Sequence, residues 1–270
     1  MLEPFFREAG TGPGVVCLHA NASTSGQWRG LMDRLAPKFR VLAPDAYGAG
    51  KSPDWPADRT IRLLDEVTLI EPVLARAGSP VVLIGHSYGA AIALIAALAD
   101  PGRVRAMVLY EPVLFGLLDA ETPPPNEADG IREAVADAGL ALDAGNRDAA
   151  AERFIDYWMG PDAWQRTPPK RRPTLAGAMR KVRSEWHACF HEPTPIEVFA
   201  RLAVPTLYLV GAESPASARG VARLLTRMMP HVTVEELRGA GHLAPITHAE
   251  RVNEAIERHL LRIDSQRLRA

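Results

Sequence analysis

The stretch VVLIGHSYGAAIALIAAL, residues 81–98, constrains the fold more than any other part of the chain. A short apolar run reaches Gly85, Ser87 and Gly89 in the spacing GxSxG, and an apolar, alanine-rich segment follows at once. That order predicts a buried strand, a very sharp turn and a helix, with the serine at the apex. Only small residues let a strand and a helix approach so closely, and Gly85, Gly89, Ala90 and Ala91 supply that collar. A serine on such a turn projects its hydroxyl out of the sheet, and the helix that follows brings the positive end of its dipole and the Tyr88 amide beside it. Ser87 is therefore the candidate nucleophile. Three fixed positions alone would recur by chance, and it is the strand and helix flanks that give the match its weight.

A hydroxyl needs a base to become nucleophilic near neutral pH. His242 lies in ELRGAGHLAP, after the last strand-like run, where Gly239 and Gly241 permit a loop tight enough to return the imidazole to the sheet rim. It is the expected base, against the plainer reading of a surface-loop histidine.

Short apolar runs alternate with amphipathic ones, the pattern of a largely parallel sheet covered by helices on both faces. Strands are expected at Phe5–Glu8, Val15–His19, Arg40–Pro44, Val81–Gly85, Val104–Tyr110, Thr206–Val210 and Val232–Leu237. Helices are expected at Gln27–Leu35, Ile61–Ala77, Tyr88–Ala99, Ala216–Met229 and Ala249–Leu261. Between Pro112 and about Phe199 the alternation stops: helical stretches such as Ala149–Trp158 are divided by TPPPN, TPPKRRP and HEPTP. Proline clusters suit the joints of a lid better than a sheet interior. Residues 113–199 are expected to form a helical cap inserted into a core made of residues 1–112 and 200–270.

GHSYG, HANAS after the first apolar strand, APDAYGAGKS after the second and GAGH near the end together resemble the α/β-hydrolase superfamily. The likeness implies the α/β-hydrolase fold: a mostly parallel eight-stranded sheet flanked by helices, a site at the strand C-terminal ends, and a cap that shapes the pocket. It also implies an oxyanion hole made by the backbone amides of Asn21 and Tyr88, with Ala20 where the family usually has glycine; the Asn21 side chain is a further candidate donor. The family's acid usually stands three residues after Gly211, where this chain has Ser214. Glu111, at the end of VRAMVLYEP, is the preferred acid, as in members such as haloalkane dehalogenases, and Glu213 is the alternative. A glutamate at the end of a buried strand needs a cationic partner, which His242 would supply.

The expected chemistry is hydrolysis of an ester-like bond (ester, thioester or lactone) of a small molecule through an acyl-enzyme. The triad is Ser87, His242 and Glu111. No cofactor and no metal are expected; His187, Cys189 and His191 alternate suggestively but lack a fourth ligand. Phe115, Trp158, Trp186 and Leu243 are the candidate substrate-binding residues, with cap packing the plainer role for the aromatic ones. Asp45, His19 and His86 read as loop-shaping residues, and Lys170, Arg171 and Arg172 as solvated surface. Thirty-one basic residues against 32 acidic ones leave no field to attract nucleic acid or an anionic membrane. No signal-like or membrane-spanning apolar run is present, and two cysteines far apart suggest no disulfide framework, so the expected address is the cytoplasm. Oligomeric state is unread. Two other readings stay open at this point: a cofactor-independent C–C hydrolase or lyase of the same fold, and a receptor-like protein that binds a ligand with little turnover.

Overall fold

The computed structural model describes residues 2–56 and 59–267. Seven strands, β1 (Phe6–Ala9), β2 (Gly14–Leu18), β3 (Arg40–Pro44), β4 (Val81–His86), β5 (Val104–Tyr110), β6 (Thr206–Gly211) and β7 (Val232–Leu237), form one sheet in the order β1-β3-β2-β4-β5-β6-β7. Only β1 runs antiparallel to its neighbour; the other pairings are parallel. The described sheet thus has seven strands where the resemblance implies eight, and they coincide with the seven apolar runs; residues 2–5 ahead of β1 carry no ladder.

The helices are α1 (Arg29–Leu35), α2 (Leu63–Ala77), α3 (Tyr88–Ala99), α4 (Gly116–Glu121), α5 (Asp129–Asp143), α6 (Arg147–Met159), α7 (Ala163–Arg166), α8 (Arg172–Phe190), α9 (Ala216–Met228), α10 (Ala244–Thr247) and α11 (Ala249–Arg267). β2 and β4 are buried at every residue because helices cover both faces. Leu31, Leu35, Val252 and Ile256 from α1 and α11 close one face over Val15, Val41, Ile84 and Val108. On the other face Val73, Ile92 and Val221 from α2, α3 and α9 pack over Val16, Leu83 and Leu109. α3 is apolar nearly all round because it packs on β2, β4 and β5 and along α2, and nearly every one of its residues is buried. Four expected helix boundaries shift: Gln27 and Trp28 belong to a 3-10 turn, Ser25–Trp28, ahead of α1, α2 begins at Leu63, α9 ends at Met228, and α11 runs on to Arg267.

Chain order leaves β2 for β3 on one side, then crosses back to β4 on the other. The strand order therefore reverses between β2 and β4, and the loops after these two strands leave a crevice where a parallel sheet accepts a ligand. Helices α4 to α8 intervene between β5 and β6 and stand over that crevice. Both ends of this insertion are fastened together. The Phe115 amide donates to the Cys189 carbonyl at 2.9 Å. A β-carbon at Gly116 would fall 2.6 Å from the Phe190 carbonyl, so the crossing leaves room only for glycine. Asn146 caps α6 by accepting from the Ala149 amide at 3.0 Å, and Pro173 lies in the first turn of α8, where its missing N–H costs nothing.

Among the described residues no helix is long and apolar enough to cross a membrane. Nor do three His, Cys, Asp or Glu side chains converge as metal ligands. His187 and His191 stack on each other at 4.2 Å. Cys17 and Cys189 are separate buried thiols that burial pushes above the ordinary thiol range.

Candidate active site

Ser87 sits between β4 and α3 with φ 56° and ψ −117°, a conformation few non-glycine residues adopt. The turn is held by its surroundings. A β-carbon at Gly85 would lie 2.4 Å from the Ala90 Cα, and one at Gly89 2.2 Å from the Leu18 carbonyl oxygen. The Ser87 amide donates to the Tyr110 carbonyl at 2.8 Å, tying the elbow to β5.

Three side chains from three strand ends then meet. His242 Nε2 is 2.9 Å from Ser87 Oγ, and His242 Nδ1 is 2.6 Å from Glu111 Oε2. Glu111, like Ser87, has a positive φ, 45°, at the end of its strand, and this turns its carboxylate along the sheet rim toward β6. There Oε1 accepts the Gly211 amide at 2.7 Å. A carboxylate cannot donate, so Nδ1 carries the imidazole proton and Nε2 presents a lone pair to the serine hydroxyl. All three groups are at most 3% exposed. Burying a carboxylate this deeply is tolerable only because both oxygens are engaged.

Glu213, the alternative acid, is not brought to His242. It follows Gly211 on a turn that points its side chain to solvent, and its amide is spent on the Ala240 carbonyl at 2.9 Å. Ser214 is buried with no hydroxyl partner among the described residues. The strand end after β6 thus contributes a backbone donor to Glu111 and no carboxylate to His242.

The imidazole is clamped on two sides. Trp158 of α6 stacks on its face, ring centres 3.8 Å apart at 22°. Behind it, His86 Nε2 donates to the His242 carbonyl at 2.9 Å, which leaves His86 Nδ1 to accept from Gln27 Nε2 at 3.0 Å. Gln27 Oε1 in turn accepts the Ala20 amide at 3.2 Å. Burial holds His86 well below the ordinary histidine range, so it remains neutral in this chain of bonds. Two side chains therefore join the loop after β2, the elbow and the histidine loop.

With the Ala20 amide engaged, the Asn21 amide is the next donor along that loop, and the Tyr88 amide is the first of α3, where a helix has no internal acceptor for it. The Asn21 side chain is tied to the insertion: Nδ2 donates one N–H to Glu185 of α8, which also pairs with Lys181. Next to this group Glu66, fully buried, accepts from the Tyr47 amide at 3.1 Å and the Tyr88 hydroxyl at 3.4 Å. Burial raises its carboxyl to about 7 against the pull of Lys181. Asp45 and His19 shape the loops. Asp45 accepts from the Ser25 and Lys51 amides at 2.5 and 3.1 Å. His19 Nε2 accepts from the Ala46 amide at 3.0 Å, and burial lowers its pKa to about 4.

A cavity of about 230 Å³ opens beside these groups, walled by Asn21, Phe154, Ile155, Leu175 and Leu243 among others. Of the predicted pocket residues only Leu243 lines it. Trp158 lies on His242 instead, with Phe115 behind it at 6.4 Å and Phe190 behind Phe115 at 5.2 Å. Trp186 is half-buried against the core, and its indole N–H has no partner among the described residues. These aromatic rings pack at the seam between insertion and sheet because that is where the largest apolar area must be covered. Phe154 and Ile155 escaped the sequence reading, although they lie one turn before Trp158 on the same helix and share its side.

The sequence profile of the alpha/beta hydrolase family matches residues 15–255. Lipase LipV of Mycobacterium tuberculosis is 36% identical over 153 residues, 55% of this chain and 52% of that lipase, so the match spans about half its length. Pimeloyl-[acyl-carrier protein] methyl ester esterase of Methylococcus capsulatus is 27% identical over 267 residues, 93% of this chain and 96% of the esterase. Among solved structures, an alpha/beta hydrolase from Sphaerobacter thermophilus superposes with a TM-score of 0.71 at 28% identity, covering 93% of this chain and 95% of its own.

Proposed function

Since the chain belongs to the alpha/beta hydrolase family, we propose that it is an ester-bond hydrolase acting on a small molecule through an acyl-enzyme on Ser87. The observation that carries this reading is the unbroken line Ser87–His242–Glu111, with contacts of 2.9 and 2.6 Å. The names of the lipase and methyl ester esterase relatives support the ester.

In this reading His242 Nε2 takes the Ser87 proton as Oγ attacks the carbonyl carbon. Charge moves to the carbonyl oxygen, which the Asn21 and Tyr88 amides receive. Glu111 stabilises the imidazolium and stays ionised, its second oxygen held by the Gly211 amide. His242 then protonates the departing alcohol, and water, deprotonated by the same nitrogen, releases the acid. The inserted helices act as a cap, and Trp158 keeps bulk water from the imidazole face. A receptor-like reading gains strength from Ser214 standing where an aspartate is usual, and the Glu111 carboxylate bonded to His242 supports the hydrolase instead.

Two measurements test the proposal: labelling by a fluorophosphonate probe and turnover of p-nitrophenyl esters of graded length. Both are expected in the native protein, with Ser87→Ala losing labelling and at least about 10³-fold in kcat. Folded native protein that neither labels nor turns over any ester, thioester or lactone overturns it.

A further inference from the structure

The cavity beside the triad is apolar along its walls and cationic at its mouth. Two of its lining residues lie next to the reacting groups: Leu243 follows His242 in the chain, and Asn21 carries a proposed oxyanion amide. Phe154, Ile155 and Leu175 continue the wall, and Arg166 and Arg171 complete it. The adjoining groove shares Arg171 and adds Lys170, and no carboxylate lines either space.

These cations are unlike others of the insertion. Arg132, Arg153 and Arg183 each sit on an aspartate, at 2.6 to 2.8 Å for the Asp119, Asp137 and Asp143 pairs. Arg166, Lys170 and Arg171 are exposed and form no ion pair with a described residue. Their backbone is nevertheless held. Arg172 lies over the Trp164 ring and donates to the Thr167 and Gln165 carbonyls at 3.0 and 2.7 Å. Arg166 donates one N–H to the Pro161 carbonyl at 3.0 Å, which fixes the guanidinium and leaves its other donors open. The basic run thus divides: Arg172 staples the segment, while Lys170 and Arg171 face the two openings.

We propose that the site takes esters whose apolar arm ends, away from the scissile bond, in an anionic group, a carboxylate in the simplest case, held by Arg166 and Arg171. This rests on the ester-hydrolase reading above. An apolar wall alone would favour neutral chains, because carrying a carboxylate into it costs desolvation. Guanidinium groups at the far end reverse that preference, since a planar fork matches a carboxylate with two parallel bonds. Exposed contacts of this kind are individually weak, so two predict about a tenfold preference in kcat/KM at low salt. Added salt shrinks it, because the charges lie in solvent.

The test compares pairs of esters of equal length. p-Nitrophenyl hydrogen suberate against p-nitrophenyl octanoate probes the acyl arm, and 8-acetoxyoctanoate against octyl acetate the alcohol arm, both at low and high ionic strength. The expected result is a preference of about tenfold for the anionic member on one arm. It falls toward one in the Arg166→Gln, Arg171→Gln double variant, while Arg153→Gln, elsewhere on the insertion, retains it. No anion preference on either arm, or one that survives the double variant, overturns the inference. Fluorophosphonate labelling of Ser87 separates the two failures: labelled, active protein without anion preference sinks this inference alone, whereas protein that neither labels nor turns over sinks both.

Discussion

Around Ser87 the positions of the chemical groups are dictated by backbone, whereas in the insertion they are dictated by side chains. Ser87 and Glu111 both leave their strands with positive φ, and glycines at 85, 89 and 211 stand where a β-carbon would meet main-chain atoms at 2.6 Å or less. The insertion is fastened differently, by proline joints, by ion pairs such as Arg183 with Asp143 on its surface, and by aromatic rings pressed on the sheet. A site of the first kind admits almost no substitution without loss of its geometry. A wall of the second kind changes shape with each residue exchanged. Reaction type and selectivity are thus written in different parts of the molecule and in different physical terms.

The largest expected effect tests the backbone-built half. Glu111→Gln keeps the volume and an oxygen for the Gly211 amide but presents an amide to His242, so the wrong nitrogen carries the proton. A fall in kcat on the order of 10⁴ is expected, with a cooperative unfolding transition retained. Glu213→Gln should leave kcat within about twofold, its side chain being in solvent. Equal losses in the two variants would place the acid outside the geometry described here. Next in size is Gly89→Ala. Its methyl would approach the Leu18 carbonyl oxygen to 2.2 Å, and β2 and α3 cannot separate without opening the crevice. A loss of about 3 kcal/mol is expected in urea unfolding, against a gain of about 0.5 to 1 kcal/mol for Gly177→Ala inside α8, where the added methyl meets nothing within 4 Å and alanine is the better helix former.

The contrast also explains what the sequence disclosed. Gly85, Ser87 and Gly89 announce themselves because a sharp turn leaves a local signature, and each strand does so because burial on both faces demands an apolar run. Glu111 was preferred over Glu213 on an electrostatic ground, but Gly211, the donor that holds its second oxygen, is 100 positions away. No pattern within a segment reports such a bond. The same holds for Gln27 with His86, 59 positions apart, and for Asn21 with Glu185, 164 apart. The cavity wall is harder still. Phe115, Trp158 and Trp186 are large apolar rings that suit a pocket wall and the packing seam equally well, and only three-dimensional placement separates the uses.

A smaller effect concerns Glu66, which lies where the two halves touch. Its carboxyl is raised from 4.5 to about 7 by burial, so the folded protein keeps a proton that the unfolded chain gives up. The stability this contributes is full below about pH 4.5 and is lost as pH rises through 7. Glu66→Gln cannot ionise and still offers an oxygen to the Tyr47 amide. Relative to the native protein it should gain stability between pH 5 and pH 8, by an amount on the order of 2 kcal/mol, read from urea midpoints at both values. Parallel pH profiles for the two proteins would show that Glu66 is ionised in the fold throughout that range.

The smallest expected effect sharpens the comparison most, because Gln27 is a side chain serving the backbone-built half. Its amide accepts from Ala20 and donates to His86, and His86 holds the carbonyl of His242. Gln27→Leu fills similar space but breaks both bonds. It frees the Ala20 amide beside the oxyanion donors and leaves His86 Nδ1 without its partner. In the proposed reaction, ground-state binding draws little on the exact placement of the Asn21 amide, whereas the tetrahedral intermediate draws on it directly. The expected outcome is a fall of about tenfold in kcat with KM nearly unchanged, matched by a similar loss in affinity for a trifluoromethyl ketone that forms the tetrahedral adduct. Gln27→Glu retains the volume and an oxygen for the Ala20 amide but replaces the donor to His86 with a second acceptor, so it should fall less far than leucine does. If KM rises while kcat holds, Gln27 shapes the cavity through Ala22 rather than the oxyanion loop, and side chains there would serve binding alone.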